Sequence, residues 1–182
     1  TNDYDVAGNR WETTPVLQSM FGSHAAVLHG RAYIGDLDGT LQEFDPAQNR
    51  VRRIAAADFT ERDHSQVVAF QDEIWIIAGR APETTTVAIY DPVSERWRAG
   101  PPIIRRRGGF GAAVVGNYIV LTGGEVLSGT TRVESTAETY TVGEASWRTA
   151  PMSPVPTHGL PGASVNGRFL AISGTTIPGS AV

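Results

Sequence analysis

The chain has 182 residues, 41% of them hydrophobic, with 15 arginines, no lysine and no cysteine against 19 acidic residues, for a net charge of −4. That size supports one globular domain with a core of its own, and no apolar stretch reaches the length of a membrane span. The composition excludes disulfides, thiol nucleophiles, thiolate metal sites and Schiff-base chemistry, and argues against sequence-independent nucleic-acid binding as a main role.

In chain order, the first element is a hairpin over 1–15, in which Tyr4 is followed by a turn and then by Trp11. The same phrase returns at Phe44 to Val51, Tyr90 to Trp97 and Tyr140 to Trp147, so the aromatic starts lie 40, 46 and 50 residues apart. Repetition at that period points to a solenoid or a propeller. Between the phrases, pairs of apolar runs are joined by tight turns. These are Ala25–Leu28 with Tyr33–Ile34, Val67–Phe70 with Ile74–Ala78, Ala112–Val115 with Tyr118–Leu121, and Ala163–Val165 with Phe169–Ile172. Repeats of four strands therefore run over about 16–54, 55–99 and 100–149, with a last strand pair over about 150–182. The second strand of each is apolar almost throughout, which predicts burial on both faces and hence sheets stacked like blades. Arg50–Ile54 and Arg96–Arg98 interleave polar and apolar residues as outer strands do. Trp11, Trp97 and Trp147 share one repeat position and read as framework, and Trp75 reads as core.

Over nearly its whole length the chain resembles the kelch-repeat family. The resemblance rests on Gly123-Gly124 after an aliphatic strand, the Tyr90 to Trp97 spacing, and Arg107-Gly108-Gly109-Phe110 at the start of an inner strand. Asp38-Gly39, Gly79-Arg80 and Gly174-Thr175 stand where the glycine pair is expected in the other copies, and Val51 stands in a tryptophan position. The resemblance implies an all-β propeller of blades with strands A to D. The initial hairpin supplies strands C and D, and the final pair strands A and B, of a joint fourth blade. The alternatives are half of an eight-bladed ring formed by a dimer, or part of a larger propeller. No targeting segment is visible and the chain does not begin with Met, which leaves the compartment open.

In this layout the loops from strand D to the next A gather on one face, at 12–23, 55–63, 99–109 and 149–159, and carry the variable residues. The third holds Arg105, Arg106 and Arg107, suited to a carboxylate or an acidic peptide. The resemblance implies such contacts for Arg105 and Arg106, and gives Arg107 the repeat's framework position. His24, His64 and His158 fall near the starts of three A strands, with Phe110 in the remaining copy, and form the expected rim of the axial channel in a structural role rather than as metal ligands. Glu61-Arg62-Asp63-His64 brings acid, base and cation together; on an extended segment Arg62 and His64 face one way, and Glu61 and Asp63 the other. Gly35 to Gly39 reads as a hairpin turn and not a calcium loop. Gly109 to Val114 opens a strand and so lacks dinucleotide-binding geometry.

The sequence favours a non-catalytic scaffold for protein–protein interaction, binding an acidic peptide or small carboxylate without a cofactor, as a monomer or homodimer. The resemblance also implies an alternative, an enzyme such as a sugar mutarotase or epimerase. Copper-radical chemistry of the kelch class is excluded by the missing cysteine. A place in a larger propeller assembly is the third reading.

Overall fold

A computed structural model describes residues 2–13, 24–55, 62–80 and 82–180. The first hairpin joins β1 (Asn2–Asp5) and β2 (Arg10–Thr13). Two four-stranded sheets follow: β3 (Ala25–Leu28), β4 (Arg31–Gly35), β5 (Leu41–Asp45) and β6 (Arg50–Ile54), then β7 (Gln66–Phe70), β8 (Glu73–Ile77), β9 (Val87–Asp91) and β10 (Arg96–Gly100). The third contains β11 (Gly108–Val115), β12 (Tyr118–Val126), a short β13 (Arg132–Val133) paired with β12, β14 (Ala137–Thr141) and β15 (Arg148–Ala150). A last hairpin joins β16 (Gly162–Val165) and β17 (Arg168–Ala171). All pairings are antiparallel. Among the described residues no helix is long and apolar enough to cross a membrane.

The sheets stack through their inner strands, β3 on β7, β7 on β11 and β11 on β16. Strand β8 shows why its sequence is apolar throughout. Ile74 and Ile76 turn to one side and join Tyr33, Leu41 and Ile54 of the preceding sheet. Trp75 and Ile77 turn to the other and join Ile119, Leu121, Tyr140 and Trp147 of the next. Alternating side chains thus fill two seams, and each fully buried aliphatic contributes about 1.5–3 kcal/mol.

The aromatic phrase has one geometry in three copies. Ring centroids lie 5.2 Å apart for Tyr4 and Trp11, 5.0 Å for Tyr90 and Trp97, and 5.6 Å for Tyr140 and Trp147. In the second and third sheets the indole also latches onto the sheet before it: Trp97 Nε1 donates to the Ala55 carbonyl and Trp147 Nε1 to that of Pro101, both at 2.9 Å.

The register corrects the placing of the glycine pair. After strand B the chain takes two consecutive left-handed residues, Ala78 and Gly79 (φ 49° and 120°), Gly123 and Gly124 (74° and 93°), and Ser173 and Gly174 (61° and 98°). Glycine is kept at the second position, where the backbone nearly touches the start of the inner strand of its own sheet: a Cβ on Gly124 would lie 2.9 Å from the Gly108 carbonyl oxygen. Gly79 N–H donates to the Arg107 carbonyl and Gly124 N–H to that of Thr157, so the same contact joins successive sheets. Asp38-Gly39 is instead a hairpin turn, with Asp38 accepting from Thr40 N and Oγ1.

Among the described residues the two hairpins expected to share a fourth blade are not hydrogen-bonded to each other. β1–β2 and β16–β17 are separate two-stranded sheets, and β1 and β2 pack substantially only on each other. Each full sheet stacks on its sequence neighbour, and among the described residues β17 makes no substantial packing contact with β1.

A polar clasp ties the second and third sheets at their outer loops. The Glu83 carboxylate accepts from Leu127 N (2.6 Å), Ser128 N (3.3 Å) and Ser128 Oγ. Burial alone would raise the Glu83 carboxyl; the Ser128 and Leu127 donors outweigh it and hold the group below its ordinary value. Its folded pKa being the lower one, the clasp's stabilisation is full above the ordinary glutamate range and is lost as pH falls through the depressed value. Glu83→Gln is expected to cost about 2 kcal/mol at neutral pH. In urea melts the gap from the parent chain should close on acidification; a gap independent of pH would rule out the charged clasp.

Candidate active site

The inter-sheet hydrogen bonds show which residues are equivalent around the arc. Gly109 N–H donates to the His64 carbonyl and Gly159 N–H to that of Gly109, and all three have left-handed backbones (φ 56°, 65° and 65°). One residue earlier, Asp63, Gly108 and His158 share a position. Earlier again come Arg62, Arg107 and Thr157. His24 pairs across its hairpin as Gln66 does, since His24 faces Gly35 and Gln66 faces Ile77. The three histidines therefore occupy three different repeat positions and do not form the ring that the sequence suggested.

Arg62 and Arg107 are framework. Arg107 has no exposure; its guanidinium donates to the carbonyls of Gly123 and Thr136 (2.8 Å each), to Thr136 Oγ1 (2.8 Å) and to Glu138 (2.7 Å). Arg62, also buried, makes the matching contacts to Ile76 O, Thr86 O and Thr86 Oγ1, and burial pulls its pKa down to about 10. Neither is available to a ligand, because both spend their donors on the blade's own backbone. Phe110 is likewise no rim residue, since its ring is fully buried in the seam between the second and third sheets. Arg105 and Arg106 are exposed, with Arg105 N–H and Ile104 N–H anchored on Glu138. The loops 12–23 and 55–63 lie mostly outside the described residues, and Glu61 with them.

Where the inner strands of the three full sheets and the last hairpin begin, a cavity of about 460 Å³ opens. His24, His64, Arg80, Glu125 and His158 line it; Arg105 and Arg106 do not. Arg80 lies at its centre. Its Nε donates to Asp63 (3.2 Å), its Nη1 pairs with Glu125, and its Nη2 lies 3.2 Å from His64 Nε2. His64 Nδ1 is 2.5 Å from Asp63. A donor on Arg80 and an acceptor on Asp63 fix one arrangement for the neutral imidazole, with Nδ1–H toward the carboxylate and the Nε2 lone pair accepting from Arg80 Nη2.

Glu125 and His158 sit beneath, with side chains 1% and 3% exposed, whereas His64 is 32% exposed and reaches the opening. His158 Nε2 is 2.8 Å from the Ile177 carbonyl, to which it donates, so its Nδ1 faces Glu125 Oε1 at 3.3 Å. That contact is favourable only with a proton between the two atoms. Gly179 N–H donates to the other Glu125 oxygen (2.7 Å). One guanidinium thus serves two carboxylates, Asp63 and Glu125. His24 contributes a neutral ring: burial lowers its pKa, the Ser65 carbonyl opposes this and His64 adds to it. Among the described residues no three His, Asp or Glu side chains are arranged to hold a metal ion.

Arg80 and Glu125 escaped the sequence reading. They follow the second left-handed residue of strand B in successive copies, where Thr175 is the third member. Their signal is the contrast between copies, and it is visible only once Gly79 is aligned with Gly124 rather than with Gly123.

No family model matches the chain. Two N-acetylneuraminate epimerases of Haemophilus influenzae are similar to it, one 30% identical over 197 residues and the other 26% over 196, each match covering 97% of this chain and 48% of the relative. Kelch-like protein 23 of Mus musculus is 27% identical over 142 residues, 72% of this chain and 25% of that one. The chain thus spans about half the length of the curated epimerases it matches. Among solved structures, that of YjhT superposes with a TM-score of 0.82 at 15% identity, covering 96% of this chain and 68% of that one. The class defined here is an all-β fold of propeller blades. The matched epimerases overturn the expectation of a non-catalytic interaction scaffold and favour the enzyme alternative.

Proposed function

We propose that the cavity around Arg80 belongs to an enzyme that interconverts the anomers or epimers of a sugar, the reaction class of the H. influenzae relatives. The carrying observation is the pair of proton-holding groups at one opening, His64 oriented by Asp63 and His158 facing Glu125. The sheets are read as kelch-type blades, and residues 1–182 as one propeller unit.

Exchange of anomers opens the ring of a cyclic sugar. A base removes the proton of the anomeric hydroxyl, the bond from the anomeric carbon to the ring oxygen breaks, and an acid protonates that oxygen; reclosure on the other face returns both protons. His64 Nε2, oriented by Asp63 and freed when Arg80 Nη2 turns from it to the substrate, takes the hydroxyl proton. The proton shared by His158 and Glu125 serves the ring oxygen, and Arg80 stabilises negative charge developing between them. The first substrate to test is N-acetylneuraminate. Anomer equilibration followed by proton NMR is expected to accelerate in proportion to protein concentration, and a rate equal to that of buffer would overturn this reading.

Arg105 and Arg106 lie outside the cavity on the neighbouring loop, where their role is to attract an anionic substrate. Arg105→Ala combined with Arg106→Ala is expected to raise KM for a carboxylated sugar by roughly three- to tenfold at low salt with kcat unchanged, the effect fading as salt screens it. A loss in kcat would place these side chains in the chemistry instead.

A further inference from the structure

Arg80 borders two cavities. Besides the larger one, it lines a second of about 390 Å³ together with Asp63, Pro82, Glu83, Leu127 and Ser128. This shared edge has a rigid base, because Asp63 and Arg80 exchange two backbone hydrogen bonds (3.0 and 2.7 Å) in addition to the contact from Arg80 Nε to the carboxylate. Leu127 adjoins both spaces as well: a Cβ on Gly179, which lines the larger cavity, would lie 3.9 Å from Leu127 Cδ2. A ligand that is seated beside His64 and continues past Arg80 or Leu127 therefore enters the second cavity.

What suits that space follows from its lining. Two carboxylates face it, and its guanidinium is already engaged by Asp63 and Glu125, so an anionic group is disfavoured there. Neither carboxylate is an uncompensated charge that calls for a cation. Asp63 has His64 and Arg80, and Glu83 has Leu127 N, Ser128 N and Ser128 Oγ. Their remaining lone pairs can accept from neutral hydroxyls. Pro82 and Leu127, both exposed, come from the loops of two adjacent sheets and add apolar surface of the kind that the C–H face of a sugar ring covers. Acceptors beside an apolar surface fit a neutral, hydroxyl-rich ring.

On the anomer-exchange reading of the larger cavity, on which this assignment rests, we infer that the substrate is a reducing oligosaccharide. The sugar whose anomeric carbon reacts occupies the larger cavity. A neutral sugar linked to it occupies the second, its hydroxyls donating to Asp63 and Glu83 and its C–H face lying on Leu127 and Pro82. The two carboxylates select a neutral second unit over an acidic one.

Two probes test this: N-acetylneuraminate, and the reducing disaccharide in which galactose is linked to one of its ring hydroxyls. Calorimetry on the parent chain is expected to show the disaccharide binding about fivefold more tightly, the worth of one neutral hydrogen bond. The Leu127 methyl signals in NMR are expected to move with the disaccharide and to stay in place with the monosaccharide. Leu127→Ser, which keeps the amide held by Glu83, should erase the difference in affinity while the monosaccharide binds as before. Equal affinities with the Leu127 methyls unmoved, or weaker binding of the disaccharide, would overturn the second subsite and leave anomer exchange of the monosaccharide standing. If neither sugar binds and neither exchanges faster than in buffer, anomer exchange in the larger cavity is overturned, and the oligosaccharide with it.

Discussion

Arg107→Ala is expected to remove about 3–5 kcal/mol of stability, the loss that follows when one member of a buried ion pair is left without the other. Arg107 and Glu138 are 0% and 1% exposed. Glu138 would keep only the Ile104 and Arg105 amides, and the carbonyls of Gly123 and Thr136 would each lose a charged donor. Against the ~5–15 kcal/mol typical of a folded domain this is a large share. Urea denaturation measures it directly. Arg107→Met with Glu138→Gln should be more stable than Arg107→Ala, because the neutral amide oxygen still accepts the two amides and no lone charge is buried. A drop under about 1 kcal/mol for Arg107→Ala would show that the guanidinium is replaceable by water and is no framework element.

The second large effect concerns catalysis. His64→Ala is expected to slow protein-accelerated anomer exchange by about 10²- to 10⁴-fold, the usual contribution of a positioned acid or base. Its side chain reaches the opening and its backbone takes the left-handed form that glycine fills in the two equivalent positions, so the fold should tolerate the change, and His64→Gly should melt at least as high as His64→Ala. Glu125→Gln is expected to produce a comparable loss by replacing the carboxylate that shares a proton with His158 by an amide that cannot. Asp63→Asn tests orientation separately: kcat should fall while KM stays near its original value, since Asp63 acts through the imidazole. Variants that retain full acceleration would move the chemistry away from this cluster.

The blades were legible because their signals are local. The unbroken apolar run Ile74 to Ile77 announces a strand covered on both faces, and the tyrosine-to-tryptophan spacing announces the outer hairpin; both appear as read. Closure was not legible, since joining the first hairpin to the last would bring together residues from opposite ends of the sequence, and no local pattern decides that. The arginines were read partly for the wrong work. Arg62 looked like a companion of His64, but its register makes it the twin of Arg107, with its donors turned to the threonine and carbonyls of its own blade. Three histidines near three strand starts looked like one ring because short shifts in hairpin length conceal register. Arg80 and Glu125 were missed for the same reason, the slip of one residue at Gly79.

That rank of residues has a consequence for how such a molecule can change. Arg80, Glu125 and Thr175 hang from the same backbone position in successive blades, as do Asp63, Gly108 and His158, so the peptide framework presents interchangeable sockets. Chemistry is written into them by side-chain choice alone. Duplicated blades could acquire, lose or relocate an active centre by point substitution, moving it one blade around the axis without altering a single strand.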